Sequence, residues 1–377
     1  MSGSNRFERL AAPGVRSLKP YVPGKPHSTL ERELGIKDCI KLASNENPLG
    51  PGPLARAALA SVVGAVGHYP DGAGHALRSK LARLHGVEMS QVTLGNGSND
   101  ILVMLAEAFL TPDLEAVHAQ YAFAVYPAAI QASGATARVA QARPRGGDQP
   151  LGHDAAEIVR AIGPRTRMVF VANPNNPTGT WLDEGELDGM LNSIPEDVIV
   201  VLDEAYHEYS APLGIPDGRR WLARHPNLVV TRTFSKAYGL AGLRVGYALS
   251  HPELADVLNR VRQPFNVSVP GLAAAAAALD DHAHLDATIA LNHAGIEQLR
   301  EGLAKLGIGA PKSAGNFVLA DFGRPAAPLD EALLRRGVIV RPLDNYGLHT
   351  QLRITTGTAA QNERLLTTLH DLAAAGW

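Results

Sequence analysis

Through the middle of the chain, short continuous apolar runs alternate with longer stretches of helical character. The runs at 168–172, 198–202 and 228–231 are rich in β-branched residues and contain no polar break. Runs of this kind are typical of strands that are buried on both faces of a parallel sheet. The pattern therefore predicts an α/β fold, with a large domain whose mostly parallel sheet is sandwiched by helices.

Towards the C-terminus the pattern changes to one long helix, short apolar strands near 316–320, 338–341 and 352–355, and a final helix. This arrangement predicts a smaller α+β C-terminal domain. The first forty residues are rich in proline, glycine and charge, which is typical of an arm lying over a surface. We expect an N-terminal arm at 1–40 that joins the small domain, a large domain at 41–270 and a small domain at 271–377.

Composition narrows the possible functions. The 377 residues carry 35 Lys and Arg against 37 Asp and Glu, so the net charge of −2 gives no electrostatic footprint for nucleic acid or an anionic membrane. No apolar run reaches the roughly 18 residues of a membrane span, and the N-terminus lacks the apolar core of a signal peptide. A single cysteine, Cys39, excludes an intrachain disulfide and a cysteine-based zinc site. We expect a cytoplasmic protein without a metal.

Polar residues follow the carboxyl ends of three predicted strands, where open α/β sheets bind ligands. Asn176 lies in a proline-rich turn, and Asp203 comes directly after an apolar run. A carboxylate there can pair with a pyridinium nitrogen, or it can instead cap a helix. Lys236 stands among small hydroxyl residues with Arg244 eight positions later, which suits either a Schiff-base amine beside a cofactor phosphate or a solvated lysine at a loop–helix junction.

A glycine-rich turn, Gly95-Asn-Gly-Ser-Asn99, joins a predicted strand to a helix at about 100–110. Free amides at a helix N-terminus favour an anion, and glycine allows its close approach. Taken alone, this turn could equally be a helix cap. Its position ahead of Asn176, Asp203 and Lys236 on one sheet favours a phosphate site.

In their order along the chain and in their residues, these motifs resemble those of the aspartate-aminotransferase-like enzymes, which bind pyridoxal phosphate (PLP) and have fold type I. Within them the chain is similar to the histidinol-phosphate aminotransferase family. The resemblance covers the chain from about residue 18 to the C-terminus. The motifs that carry it lie in the segments 42–50, 68–71, 175–179, 203–206, 231–247 and 352–355.

The resemblance implies catalytic roles for three residues: Lys236 holds PLP and moves the proton, Asp203 pairs with the ring nitrogen, and Tyr206 tunes the ring oxygen. It implies that the cofactor is also bound by Gly97, Ser98, Asn99, Asn176, Thr233, Ser235 and Arg244. An aromatic residue stacks on the ring; the motif register favours Phe123, and Tyr121 stays open because the usual proline before the aromatic is missing. Tyr69 would reach the partner's cofactor phosphate in a homodimer. The substrate would be bound by Tyr21, Asn45, Arg353 and Arg341; for Arg341, at the end of a predicted strand, a surface ion pair is the alternative.

The implied reaction transfers the amino group of L-histidinol phosphate to 2-oxoglutarate, in histidine biosynthesis. Three alternatives stay open. The nearest is an aromatic amino-acid aminotransferase, because a pocket that takes imidazole can take a phenyl ring. A phosphothreonine decarboxylase shares much of the motif set. A PLP-binding regulator without turnover is the third, although such proteins usually carry a DNA-binding extension for which this chain has no room.

Overall fold

The computed structural model describes residues 6–21 and 24–376. Within these residues no helix combines the length and apolar character that crossing a membrane requires. Twelve strands run through this part of the chain: β1 Ile40–Lys41, β2 Val92–Gly95, β3 Glu115–Ala119, β4 Thr136–Ala140, β5 Thr166–Ala172, β6 Ile199–Asp203, β7 Leu228–Thr233, β8 Gly246–Ser250, β9 Phe317–Asp321, β10 Val338–Ile339, β11 Arg341–Leu343 and β12 Leu348–Thr355.

Fifteen α-helices accompany these strands in the described ranges: α1 Arg6–Leu10, α2 Pro13–Arg16, α3 His27–Leu34, α4 Pro53–Val62, α5 His75–His85, α6 Ser98–Phe109, α7 Val125–Ser133, α8 Ala155–Arg160, α9 Glu184–Ser193, α10 His207–Ser210, α11 Pro252–Val261, α12 Val269–Ala278, α13 His282–Lys305, α14 Ala327–Leu334 and α15 Ala359–Ala374. Several begin at sequence-encoded caps. The side chain of Asp183, for example, accepts from the amide of Glu186 in a capping box that starts α9.

A seven-stranded sheet in the order β2-β8-β7-β6-β5-β3-β4 forms the centre of the molecule. Strand β8 runs antiparallel to both of its neighbours, β2 and β7, whereas the other neighbouring strands pair in parallel. Side chains of β5 alternate between two apolar cores: Val169 and Val171 join one, while Met168 and Phe170 join the other. This period of two explains why the strands read as continuous apolar runs, since both faces are covered.

The C-terminal part contains a three-stranded antiparallel sheet in the order β11-β12-β9. Helices α13, α14 and α15 supply much of its own apolar core, for example through Leu299, Leu333 and Leu369. The predicted fold class, a helix-covered and mostly parallel sheet followed by a smaller α+β part, is confirmed.

Residues before the large sheet lie against this C-terminal part. Strand β1 pairs in parallel with β10. Leu30 of α3 packs with Leu334 and Ile339 in a small buried cluster. In its described residues, the segment predicted as an arm therefore contains three short helices and the start of β1, which contributes to a two-stranded sheet.

Some element boundaries differ from the sequence prediction. The strand predicted at 338–341 is two strands, because β10 pairs with β1 whereas β11 pairs with β12. The helix expected from residue 100 begins at Ser98, and the strand expected at 352–355 begins at Leu348. Which partner a strand finds is decided by distant residues, so a local pattern could not reveal this division.

Candidate active site

A cavity of about 190 Å³ opens at the carboxyl ends of the central parallel strands, between the seven-stranded sheet and the C-terminal part. It contains most of the residues that the sequence predicted for the site. Its wall is formed by Tyr21, Gly24, Ala43, Ser44, Asn45, Ser98, Asn99, Phe123, Ala172, Pro174, Asn176, Asp203, Ala205, Tyr206, Thr233, Ser235, Lys236, Arg244, Arg341, Tyr346 and Arg353.

Lys236 follows β7 and extends its amine into this cavity. Its Nζ donates to the carbonyl of Ser44 at 3.2 Å and lies 5.9 Å from the centre of the Tyr206 ring. Burial, followed by the nearby positive charge of Arg353, lowers the pKa of Lys236 to about 7. A lysine with this pKa is substantially neutral near pH 7, so its amine can act as a nucleophile or a base.

An anion site lies at the N-terminus of α6. Gly97 precedes this helix with φ of 79° and leaves its first amides without a side-chain cap. A Cβ at Gly97 would overlap the Arg244 guanidinium, so glycine is required for the close approach of that cation. Arg244 itself donates from Nη1 to Ser235 Oγ at 3.0 Å. Backbone amides, a guanidinium and hydroxyls thus converge where the macrodipole favours negative charge.

Asp203 ends β6 and is almost completely buried. Tyr126 donates its hydroxyl to Oδ2 at 2.7 Å, and Thr231 donates to Oδ1 at 3.1 Å. Burial raises the pKa of Asp203, whereas these hydrogen bonds and the charge of Lys236 oppose that rise. The carboxylate is suited to accept a hydrogen bond from a cationic ring nitrogen.

Tyr206 and Asn45 form a hydrogen-bonded pair in the cavity wall. Asn45 Nδ2 donates to the Tyr206 hydroxyl at 2.8 Å. Because that hydroxyl oxygen accepts this bond, its own hydrogen is available to a ligand. Burial raises the pKa of Tyr206 to about 12, which keeps this hydrogen in place. Asn45 is held in turn by Thr355 through two hydrogen bonds of 2.9 and 3.0 Å.

Arg353 connects the C-terminal sheet to the cofactor side of the cavity. Its Nη1 donates to Asn176 Oδ1 at 2.6 Å, and its Nη2 donates to the carbonyl of Ala43 at 2.6 Å. Its buried Nε has no protein partner. Arg353 lines the cavity and is only 8% exposed, so its wall contains a buried cation, as a site for an anionic ligand requires.

Two predicted aromatic residues line the outer part of the cavity. The Tyr21 ring lies 5.5 Å from the Arg341 guanidinium, and both residues belong to the wall. Phe123 lies in the wall, whereas Tyr121 is not part of it and packs against the cluster that contains Leu151. The geometry thus favours Phe123 as the residue that would stack on a bound ring.

Two predicted residues lie outside the cavity wall. Gly97 is just behind it, against Arg244. Tyr69 is 81% exposed and stacks on Phe265 with 4.6 Å between ring centres. It lines a separate surface concavity with His68, Pro70 and Asn96, so within one chain it does not contact the site.

Sequence reasoning missed several residues that contribute to the cavity or support it. Ser44 accepts from Lys236, Tyr346 lines the wall, and Tyr126 and Thr231 hold Asp203. Only Thr231 had a usable signal, because it neighbours Asp203 across two parallel strands whose registers could be aligned. Tyr126 is 77 residues from Asp203 in the chain, and nothing local indicates that contact.

These residues fit PLP. The lysine, the ring-nitrogen carboxylate and the anion site each match one functional group of the cofactor, and Arg353 remains for a substrate. In the described part of the chain, no group of three or more His, Cys, Asp or Glu could hold a metal. Fold and site together define a PLP-dependent transferase of amino groups.

Comparison with known proteins agrees with this class. Residues 37–369 match the family model for aminotransferase class I and II. Histidinol-phosphate aminotransferase 2 from Pseudomonas fluorescens is 55% identical over 376 residues, covering 99% of this chain and all of the relative. The namesake from Methylococcus capsulatus is 55% identical over 352 residues, covering 93% and 95% of the two chains.

A solved structure shows the same fold. Histidinol-phosphate aminotransferase from Sinorhizobium meliloti, in complex with pyridoxal-5'-phosphate, superposes with a TM-score of 0.89 at 28% identity and covers both chains completely. The chain therefore belongs to the histidinol-phosphate aminotransferase family of the class I and II aminotransferases.

Proposed function

We propose that the protein transfers the amino group of L-histidinol phosphate to 2-oxoglutarate, giving imidazole acetol phosphate and L-glutamate. The observation that supports this choice of substrate is a second arginine, Arg341, which lines the same cavity as Arg353. One guanidinium suffices for the carboxylate of an aromatic amino acid. Two guanidiniums in one cavity suit a substrate, or an acceptor, that presents its anionic group at a distance from the reacting carbon.

Bound in this cavity, PLP supplies an electrophilic carbonyl and a ring that accepts electron density from the substrate α-carbon. Lys236 would hold the cofactor through its amine, and because its pKa is lowered to about 7, this amine would also serve as the base for the proton on the substrate α-carbon. Asp203 accepts the hydrogen bond of the ring nitrogen and keeps it protonated. Asn176 and Tyr206 bind the ring oxygen.

The phosphate of the cofactor would be held at the N-terminus of α6. Ser98 and Asn99 contribute the first helical amides, with Gly97 allowing close approach. Thr233 and Ser235 add hydroxyls, and Arg244 adds the cation, which is already fixed by Ser235. Phe123 covers one face of the ring. Asn45, Tyr21, Arg353 and Arg341 bind the substrate.

The substrate assignment is tested by comparing kcat/KM for L-histidinol phosphate, L-histidinol, phenylalanine and tyrosine, each with 2-oxoglutarate as acceptor. We expect the phosphorylated substrate to be preferred over its unphosphorylated form and over both amino acids. A preference for phenylalanine or tyrosine would overturn the assignment in favour of an aromatic aminotransferase. Release of CO₂ from phosphothreonine without a 2-oxo acid would favour the decarboxylase. Absence of turnover with a stable cofactor spectrum would favour the regulator.

We also propose a homodimer in which Tyr69 contacts the partner's cofactor phosphate. The support is the 81% exposure of a large aromatic side chain that has no role within its own chain's cavity. Sedimentation should give twice the chain mass. Lys236→Ala and Tyr69→Phe chains, inactive and impaired alone, should regain activity when refolded together, because one of the two mixed sites is then complete. Lack of recovery would place Tyr69 in its own chain's site or outside the mechanism.

The division into an arm at 1–40, a large domain at 41–270 and a small domain at 271–377 remains part of this proposal. Pairing of β1 with β10 supports the arm. Packing of α12 against α4 through Ala274 and Ala55, in the core beside the large sheet, favours a domain change after α12 ends at Ala278. Limited proteolysis would locate it. A cytoplasmic location is proposed from the single cysteine and is testable by cell fractionation.

A further inference from the structure

Tyr126 is a fully buried tyrosine that does not line the cavity. It lies in the first turn of α7, and its ring is fixed by two other aromatic rings. Phe170 stacks on it with 5.0 Å between ring centres and 13° between planes, and Phe123 meets it edge-on at 5.8 Å and 87°. The phenol therefore has one position, set by packing against strand β5 and against the residue expected to cover the cofactor ring.

The Tyr126 hydroxyl donates its hydrogen bond to the Oδ2 of Asp203 at 2.7 Å. The other carboxylate oxygen, Oδ1, accepts from Thr231 at 3.1 Å. One donor lies on helix α7 and the other on strand β7, and each holds one oxygen. The carboxylate plane therefore cannot rotate freely. Asp203 also lines the cavity, so its remaining lone pairs are available there.

The charged state of Asp203 depends on few groups. Desolvation is the largest influence and raises its pKa; Tyr126, Thr231, the amide of Ala205 and the charge of Lys236 lower it. Burial and the Asp203 charge raise the pKa of Tyr126 well above its usual range, so Tyr126 stays a donor at all physiological pH values. Of the side-chain hydrogen bonds that favour the carboxylate, the one from Tyr126 is the shorter.

We propose that Tyr126 is a positioning residue: through its hydrogen bond it keeps the Asp203 carboxylate charged and oriented towards the ring nitrogen of the cofactor. Thr231 acts in the same way on the other oxygen, with a smaller effect because its bond is longer. The inference rests on the proposed function only in taking PLP as the cofactor, and it does not depend on which amine is the substrate.

The test measures cofactor binding without any substrate. The full-length apoenzyme is titrated with PLP and with its 1-deaza analogue, in which a C–H group replaces the ring nitrogen. In wild type we expect tighter binding of PLP. Tyr126→Phe should weaken PLP binding about tenfold, as expected for a lost hydrogen bond to a charged group, while binding of the analogue changes little. Equal weakening of both ligands would reduce Tyr126 to a structural role and overturn the proposal.

Two further variants sharpen the result. Tyr247→Phe removes a comparable buried hydroxyl bond, 2.9 Å from Tyr247 Oη to His85, in the opposite core, and should leave the preference for PLP over the analogue unchanged. In an Asp203→Asn background, adding Tyr126→Phe should have no further selective effect. An additive loss there would contradict action through Asp203.

Different experimental outcomes would overturn the role of Tyr126 and the proposed function. Preference for an aromatic amine as substrate would change the proposed function and leave the Tyr126 result standing. Wild-type binding that does not distinguish PLP from the analogue would overturn the pairing of Asp203 with the ring nitrogen, and the Tyr126 proposal with it. Thr231→Val provides a second variant if Tyr126→Phe folds poorly: a smaller loss, confined to PLP, supports the same orientation mechanism, and an equal loss of both ligands contradicts it.

Discussion

Two walls of the cavity differ in how firmly their polar side chains are held. The sheet wall, formed by Asp203, Thr233, Ser235 and Lys236, is buried at the strand ends; Asp203, for example, is 4% exposed. The arm wall, formed by Tyr21, Arg341 and Tyr346, comes from the N-terminal arm and the C-terminal part, and Tyr21 is 62% exposed. The difference suggests that one wall fixes the chemistry, while the other selects the substrate and can adapt to it.

Arg353 joins the two walls. It lies on β12 of the C-terminal sheet, yet it donates to Asn176 beside the large sheet. The substrate anion that it would bind is therefore placed relative to the cofactor by a direct hydrogen bond. Substitutions in the sheet wall should lower kcat for every substrate, whereas those in the arm wall should change the ratio between substrates.

The largest effect is expected from Lys236→Ala. Loss of the amine removes the proton-transferring group, so we expect turnover to fall by about 10⁴-fold or more with any amine donor. The visible absorbance band of the bound cofactor should also be lost. Lys80→Ala, which removes a lysine paired with Asp280 on the surface, is the control and should retain activity. Normal transamination by the Lys236 variant would refute its assignment.

A smaller but still uniform loss is expected from Asp203→Ala. Without the carboxylate the ring nitrogen loses its partner, and kcat should fall by about 10²–10³-fold for phosphorylated and unphosphorylated amines alike. The Tyr126 hydroxyl would be left without its acceptor, which costs about 1–3 kcal/mol of unfolding free energy. Steady-state kinetics and thermal denaturation measure the two effects. A loss restricted to one substrate would contradict the division between the walls.

The pH dependence of cofactor loading tests one residue of the sheet wall, Lys236, and does not involve the arm wall. A neutral amine is needed to capture the cofactor, and the pKa of Lys236 is lowered to about 7. The neutral fraction therefore increases as pH rises, and the initial loading rate of the apoenzyme should increase roughly 100-fold between pH 5 and pH 8 before levelling. Stopped-flow absorbance measures this rate. A rate still rising steeply above pH 9 would indicate an ordinary, solvated lysine.

The smallest and most selective effect is expected in the arm wall. Arg341→Gln removes a cation beside Tyr21, and we expect kcat/KM for L-histidinol phosphate to fall about tenfold. For phenylalanine the change should stay within about twofold. The ratio of the two values is the measurement. Equal losses for both substrates would show that the arm wall contributes to the common chemistry.

The residues of the two walls were predicted from different signals: strand-end patterns for the sheet wall, and the family resemblance for Tyr21 and Arg341 of the arm wall. Asp203 ends a buried strand, and Asn176 and Lys236 each come shortly after one, so a local pattern was enough to bring them to one edge of the sheet. Ser44, Tyr126 and Tyr346 were missed, because their contacts join segments far apart in the chain. The separate pairing of β10 and β11 escaped prediction for the same reason.

By itself the sequence determined the fold class, the family resemblance and the residues of the sheet wall, because strand periodicity and strand-end motifs are local and repeat through the chain. The tertiary structure decided that Phe123 rather than Tyr121 lies in the cavity and that Arg353 bonds to Asn176. It also decided that both oxygens of Asp203 are held by donors from other elements. Such contacts depend on how separate elements pack, and burial gives them their strength by removing competing water.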